Sequence, residues 1–102
     1  MARLRLIHWH PAEARRHAAV LRRAGHIVGA GTFRGPDEWR SLRRRPPDAV
    51  IIDLSRLPMQ GRDLGLAVRH AAQTRRVPIV FVDGAPEKVA RVRRDLPDAT
   101  FT

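Results

Sequence analysis

The chain reads as a single α/β domain, residues 1–102, with a doubly wound parallel sheet. Three observations predict it. Ala49-Val50-Ile51-Ile52 is an unbroken apolar run rich in β-branched residues, as expected of a strand buried on both faces. Val77 to Val82 (VPIVFV) repeats that signature. Segments with apolar residues at helical spacing lie between the strand-like runs, and such alternation implies parallel strands joined by right-handed crossovers.

In chain order, residues 3–9 (RLRLIHW) form a first strand with Leu4, Leu6 and Ile7 as its apolar side chains. Pro11 starts a helix, because its missing N–H has no intrahelical partner at that position. Ala14, Ala18 and Leu21 share one face of that helix. Glu13 near its start and Arg22 and Arg23 near its end complement the helix dipole, and Gly25 caps it. His26 to Ala30 is a short second strand. Pro36-Asp37-Glu38 opens a second helix through Trp39 and Leu42, which Pro46-Pro47 terminates.

The third strand belongs to the stretch Asp48–Asp63 (DAVIIDLSRLPMQGRD). It ends on Asp53, and the chain then turns through Pro58 and Gly61. A third helix is expected over 61–74, with Leu64, Ala67, Val68 and Ala71 facing inward. The fourth strand spans 77–82, with Pro78 tolerable near its start, and Asp83-Gly84 turns the chain. Residues 86–96 form a fourth helix with Val89, Val92 and Leu96 at 3-4 spacing, and Ala99-Thr100-Phe101 begins a fifth strand.

Composition narrows the function classes. The absence of cysteine excludes disulfides and thiolate metal sites. No apolar run is long enough to span a membrane and no signal-peptide layout opens the chain, so a cytoplasmic protein without membrane partners is expected. The net charge is +10, and Lys88 is the only non-arginine among the twenty Lys and Arg residues. That charge favours anionic partners, but the arginines occur on every predicted helix rather than in one stripe. Nucleic-acid binding, through a basic aromatic patch of Phe33, Trp39 and Arg43-Arg44-Arg45, is therefore the second alternative. No P-loop, nucleotide fingerprint or nucleophile elbow is present, so no enzyme activity is expected.

Four stretches together resemble a response-regulator receiver domain: RLIHWHP (5–11), AGHIVGA (24–30), PDAVIIDLSRLPMQGRDL (47–64) and VPIVFVDG (77–84). The resemblance spans nearly the whole chain and implies a flavodoxin-like fold with strand order 2-1-3-4-5, the last helix being absent from this chain. It implies two-component signalling in bacteria, a phosphorelay role, and docking to another signalling protein or an output module. It places Asp53 on the phosphorylated aspartate and Gly61 on the glycine of the following loop. Where that family keeps two Mg²⁺-holding carboxylates, this chain has His8 and Trp9, with His10 just beyond. Where it keeps Thr or Ser, this chain has Asp83, and the family's lysine position falls at or past Thr102.

Aspartyl phosphorylation piles negative charge on a carboxylate and needs a divalent cation to offset it. Mg²⁺ demands oxygen ligands, which an imidazole and an indole do not supply. The expectation is a degenerate receiver without a cofactor, working by protein docking, with a phosphorylatable domain using Asp53 as the alternative. The missing last helix leaves a sheet face uncovered, and a two-fold homodimer is expected to cover it.

His8, His10, Asp53 and Asp83 are expected at the carboxyl edge of neighbouring strands, where they form the rim of the site along with Trp9. Imidazole plus carboxylate there suits a transition metal, and Asp53 with Asp83 could act as an acid–base pair. The blander expectation is a structural Asp53 neutralised by Arg56 and Arg62, or those two arginines holding an anion at the start of the third helix.

Overall fold

The computed structural model describes residues 1–31 and 33–102. Along the chain run β1 (Arg3–Ile7), α1 (Pro11–Arg23), β2 (Ile27–Gly29), α2 (Pro36–Arg44), β3 (Ala49–Asp53), α3 (Pro58–His70), β4 (Ile79–Val82), α4 (Pro86–Asp95) and β5 (Thr100–Phe101). Among the described residues the five strands form one sheet in the order β2-β1-β3-β4-β5, and every pairing is parallel. The doubly wound class and the strand order are as the sequence predicts.

Each of the helices α1 to α4 begins with a proline, at Pro11, Pro36, Pro58 and Pro86. Proline's fixed φ suits the first helical position and its lost donor costs nothing there. From the sequence, Pro11, Pro36 and Pro86 are expected at helix starts and Pro58 in a turn. Hence α3 starts three residues earlier than expected and ends at His70, and Gly61 lies inside its first turn rather than in a loop.

The sheet buries its two faces unequally. Ile7, Val50, Ile52, Ile79 and Phe81 point to one side, where Leu42 of α2, Val68 of α3 and Val92 of α4 meet them. Leu6, Val28 and Ala18 form a smaller cluster beneath α1 on the other side. Burial of a side chain the size of Phe81 contributes about 1.5–3 kcal/mol, so the larger cluster dominates cohesion. Among the described residues α1 is the sole helix on its face, and Ile51, Val80 and Val82 remain only half-buried.

The inward face of α3 is partly the one expected, with Val68 buried and Leu64 packed against the core. Ala67 is exposed, and the buried stripe is Gly61, Gly65 and Val68. A Cβ on Gly61 would lie 2.8 Å from Leu54 Cδ2 and 3.0 Å from Ile52 Cγ2, and one on Gly65 would lie 2.8 Å from Phe81 Cζ. The glycines let the helix backbone approach β3 and β4 closely, a role that a reading of apolar side chains passes over. Below this helix Thr74 is fully buried, and its hydroxyl donates to the Val68 carbonyl at 2.7 Å.

Strand ends also move. β1 stops at Ile7 instead of Trp9, β2 is shorter at both ends, and Val77 and Pro78 precede β4. Pro78 still serves the sheet, its carbonyl accepting from Val50 N at 2.9 Å.

Candidate functional site at the carboxyl edge of β1 and β3

The register of the two central strands pairs Ile7 with Ile52. Those side chains point toward α2–α4, so by strand alternation the next residues, His8 and Asp53, turn to the α1 side. There they lie under the first turns of α1 and meet Glu13 and His17.

Asp53 is 1% exposed. Its Oδ1 accepts from the Ser55 amide at 2.8 Å and from the Ser55 hydroxyl. This is an Asx-type turn that fixes the carboxylate's orientation. Among the described residues its Oδ2 has no hydrogen-bond partner, and it stands 3.5 Å from His8 Nε2.

His8 Nδ1 accepts from the His10 amide at 3.0 Å, so the neutral ring carries its proton on Nε2. That nitrogen is 3.1 Å from Glu13 Oε2 and 3.5 Å from Asp53 Oδ2. It is well aligned with neither and makes no hydrogen bond among the described residues. His8 Nε2 thus stands beside two carboxylates without a directed bond to either.

Glu13 is also ion-paired to Arg56. The hydrogen bond from that guanidinium, chiefly, holds the Glu13 carboxyl below its ordinary range, and the same bond raises Arg56. Asp53 adds a smaller electrostatic pull on Arg56. The His17 ring stands edge-on to His8, centroids 5.2 Å apart. One ring nitrogen each from His8 and His17 and one oxygen of Asp53 all lie within 4.8 Å of each other.

The remaining expected site residues fall elsewhere. His10 does not follow His8 into the site, because the strand has ended; it is the N-cap of α1, its Nδ1 accepting from Glu13 N at 3.3 Å. Asp83 is not in the His8–His17–Asp53 group. Asp53 is level with Val82, not Asp83, and Asp83 shares the parity of Phe81. With φ of 59° it starts the turn through Gly84, lining a shallow cleft with Val89, Arg93, Phe101 and Thr102. The carboxylate pair and the four-residue metal set are therefore not assembled.

Arg56 is spent on Glu13, and Arg62 pairs with Asp63 at 3.0 Å and Asp95 at 3.6 Å. Neither is the direct partner of Asp53, and the two do not form a common anion site. Trp9 packs against the larger core cluster. Phe33 and Trp39 do likewise, and the guanidinium groups of Arg5 and Arg43 sit over their rings at 5.3 and 5.4 Å. Faces covered in this way are poor stacking platforms for bases.

Glu13, His17 and Ser55 were missed as site residues. Glu13 and His17 are four apart, hence on one helix face, and Ser55 follows Asp53 at Asx-turn spacing. These local signals existed, but only the strand register shows which way they point.

No protein-family model and no curated protein matches the chain. Solved structures do. The N-terminal domain of a response regulator receiver protein from Methanoculleus marisnigri is 18% identical, with a TM-score of 0.75 over 100% of this chain and 83% of that one. The chemotaxis protein CheY4 of Vibrio cholerae is 21% identical, with a TM-score of 0.76 over 100% and 85%. The receiver domain of a sensor histidine kinase from Pseudomonas aeruginosa, solved with magnesium in its active-site cleft, is 19% identical, with a TM-score of 0.68 over 99% and 83%. From end to end, this chain has the flavodoxin-like fold of response-regulator receiver domains.

Proposed function

We propose that the chain is a cytoplasmic signalling domain of the receiver type that acts by docking to another protein or an output module, without Mg²⁺-dependent phosphorylation of Asp53 and without catalytic turnover. One observation carries this reading: the His8 imidazole fills the space beside Asp53 Oδ2, with its Nε2 3.5 Å away. A magnesium ion there would need several oxygen ligands at about 2.0–2.1 Å. The side chains at hand are Asp53 and Glu13, with the imidazole next to both and Glu13 tied to Arg56. Transfer of a phosphoryl group to Asp53 would then proceed without the cation that offsets its charge.

The half-buried Ile51, Val80 and Val82 on the α1 side support protein docking, and a second copy of the chain is the expected occupant. The test is intact mass after incubation with acetyl phosphate and Mg²⁺. An unchanged mass is expected. An added phosphate that disappears in Asp53→Asn would establish the phosphorylatable alternative instead.

A further inference from the structure

We propose that His8, His17 and Asp53 form a binding site for a divalent transition metal of the zinc class. The inference stands on the site's geometry and does not depend on the docking role. Two observations carry it. The donor atoms of the three residues lie within 4.8 Å of each other. Independently, His8 Nε2 and Asp53 Oδ2, on side chains 0% and 1% exposed, have no hydrogen-bond partner among the described residues, although His8 Nε2 lies 3.1 Å from Glu13 Oε2. Buried polar atoms left unpaired are costly, and a shared cation satisfies both at once.

The chemistry selects the metal. Two imidazoles and one carboxylate match zinc and its neighbours, whereas Mg²⁺ and Ca²⁺ require oxygen sets. Tetrahedral coordination at 2.0–2.1 Å places donors about 3.3 Å apart. The 3.5 Å between His8 and Asp53 is close to that already. Rotation of the His17 side chain, which hangs half-buried from α1, supplies the remaining closure.

Asp53 is prepared for one-oxygen ligation. Ser55 occupies Oδ1 with two donors and leaves Oδ2 beside His8 Nε2. Outer partners of this kind orient metal-binding carboxylates. Water completes the fourth position.

Binding has a proton balance. For the Nε2 lone pair to reach the metal, the His8 proton must shift from Nε2 to Nδ1 by exchange through solvent, with no net proton released. The neutral ring then carries its proton on Nδ1, so the His10 amide, 3.0 Å away, loses its acceptor. Metal loading is therefore read out at a backbone amide that touches no ligand atom of the site.

The test titrates the metal-free chain with ZnCl₂ by calorimetry and with CoCl₂ by visible absorption, alongside His17→Gln and Asp53→Asn. His17→Gln keeps a good helix former at a half-buried position, and circular dichroism confirms its fold. One zinc per chain is expected, with the intense spectrum of four-coordinate cobalt, unaffected by about a hundredfold excess of Mg²⁺. Each variant should weaken binding about tenfold or more, and the His10 amide resonance should shift on loading. Absence of zinc binding up to about 1 mM, or equal binding by wild type and both variants, would overturn the site. Because the phosphodonor experiment contains no zinc, failure of either idea is distinguishable from failure of the other.

Discussion

His8 stands where its Nε2 reaches to within 3.5 Å of Asp53 Oδ2, both side chains being closed off from solvent. A base-bearing ring thus occupies the ground beside the one carboxylate that ends a central strand. Replacing it tests the consequence directly. In His8→Asp the ring gives way to a second set of oxygens, and Mg²⁺ affinity should rise above that of wild type. Two carboxylates left close together without metal repel, so stability in metal-free buffer should fall by about 1–3 kcal/mol and recover on adding Mg²⁺. Urea denaturation with and without Mg²⁺ measures this, and a variant indifferent to Mg²⁺ contradicts it.

Asp53 also has a structural task, and two substitutions separate its parts. Asp53→Ala strips the Ser55 amide and hydroxyl of their acceptor and should cost about 1–3 kcal/mol. Asp53→Asn keeps an oxygen for Ser55 and should cost less than half as much. Equal losses in chemical denaturation would mean that the charge near His8, not the Asx-type turn, is what the fold uses.

The glycines of α3 make an opposite pair with Gly25. Gly65→Ala puts a methyl 2.8 Å from the rigid Phe81 ring and 2.9 Å from Leu96 Cδ1. Overpacking of about 1–3 kcal/mol should outweigh the roughly 1 kcal/mol that alanine gains in helix propensity. Gly25→Ala meets no atom within 4 Å, yet its φ of 98° strains an L-residue and should cost about 1–2 kcal/mol. A stabilised Gly65→Ala variant in thermal melts would show that α3 is free to shift outward.

The Glu13–Arg56 pair predicts a pH dependence. The Glu13 carboxyl lies below its ordinary value, mainly through the Arg56 hydrogen bond. A depressed folded-state pKa contributes stability above the unfolded value, lost as pH falls through the folded one. Arg56→Gln should therefore be less stable than wild type near neutrality. The two should converge as acid passes through the carboxylate range, and salt should narrow the gap because the pair is partly exposed. Urea midpoints across that range, in metal-free buffer, measure the gap; a constant offset at every pH would rule the mechanism out.

Much of the fold was legible because its signals are local. The runs at Ala49–Ile52 and Ile79–Val82, the prolines opening α1, α2 and α4, and the 3-4 spacing of Val92 and Leu96 each depend on neighbours a few residues away. The start of α3 was misread because Pro58 follows Arg56 and Leu57 in what looked like a continuing loop. Val68 and Leu64 on its inward face were legible, but Gly61 and Gly65 were missed because glycines leave no apolar mark.

The candidate site was less legible. Asp53 and His8 stood out as residues at strand ends, but extending β1 to Trp9 wrongly carried His10 along with them. Asp83 was grouped with Asp53 by its place after β4, although the register sets Val82 level with Asp53 and Asp83 lies past the strand, in the turn that lines a cleft with Val89 and Arg93 of α4.

Taken alone, the amino-acid order determined the α/β class, most element positions and the carboxylate at the end of β3, since backbone preference and hydrophobic period act over short stretches. Which side chains surround that carboxylate was decided only when β1, β3 and α1 packed. Their relative register is a property of the assembled core, and a single-residue change in it would turn His8 and Asp53 to the opposite face.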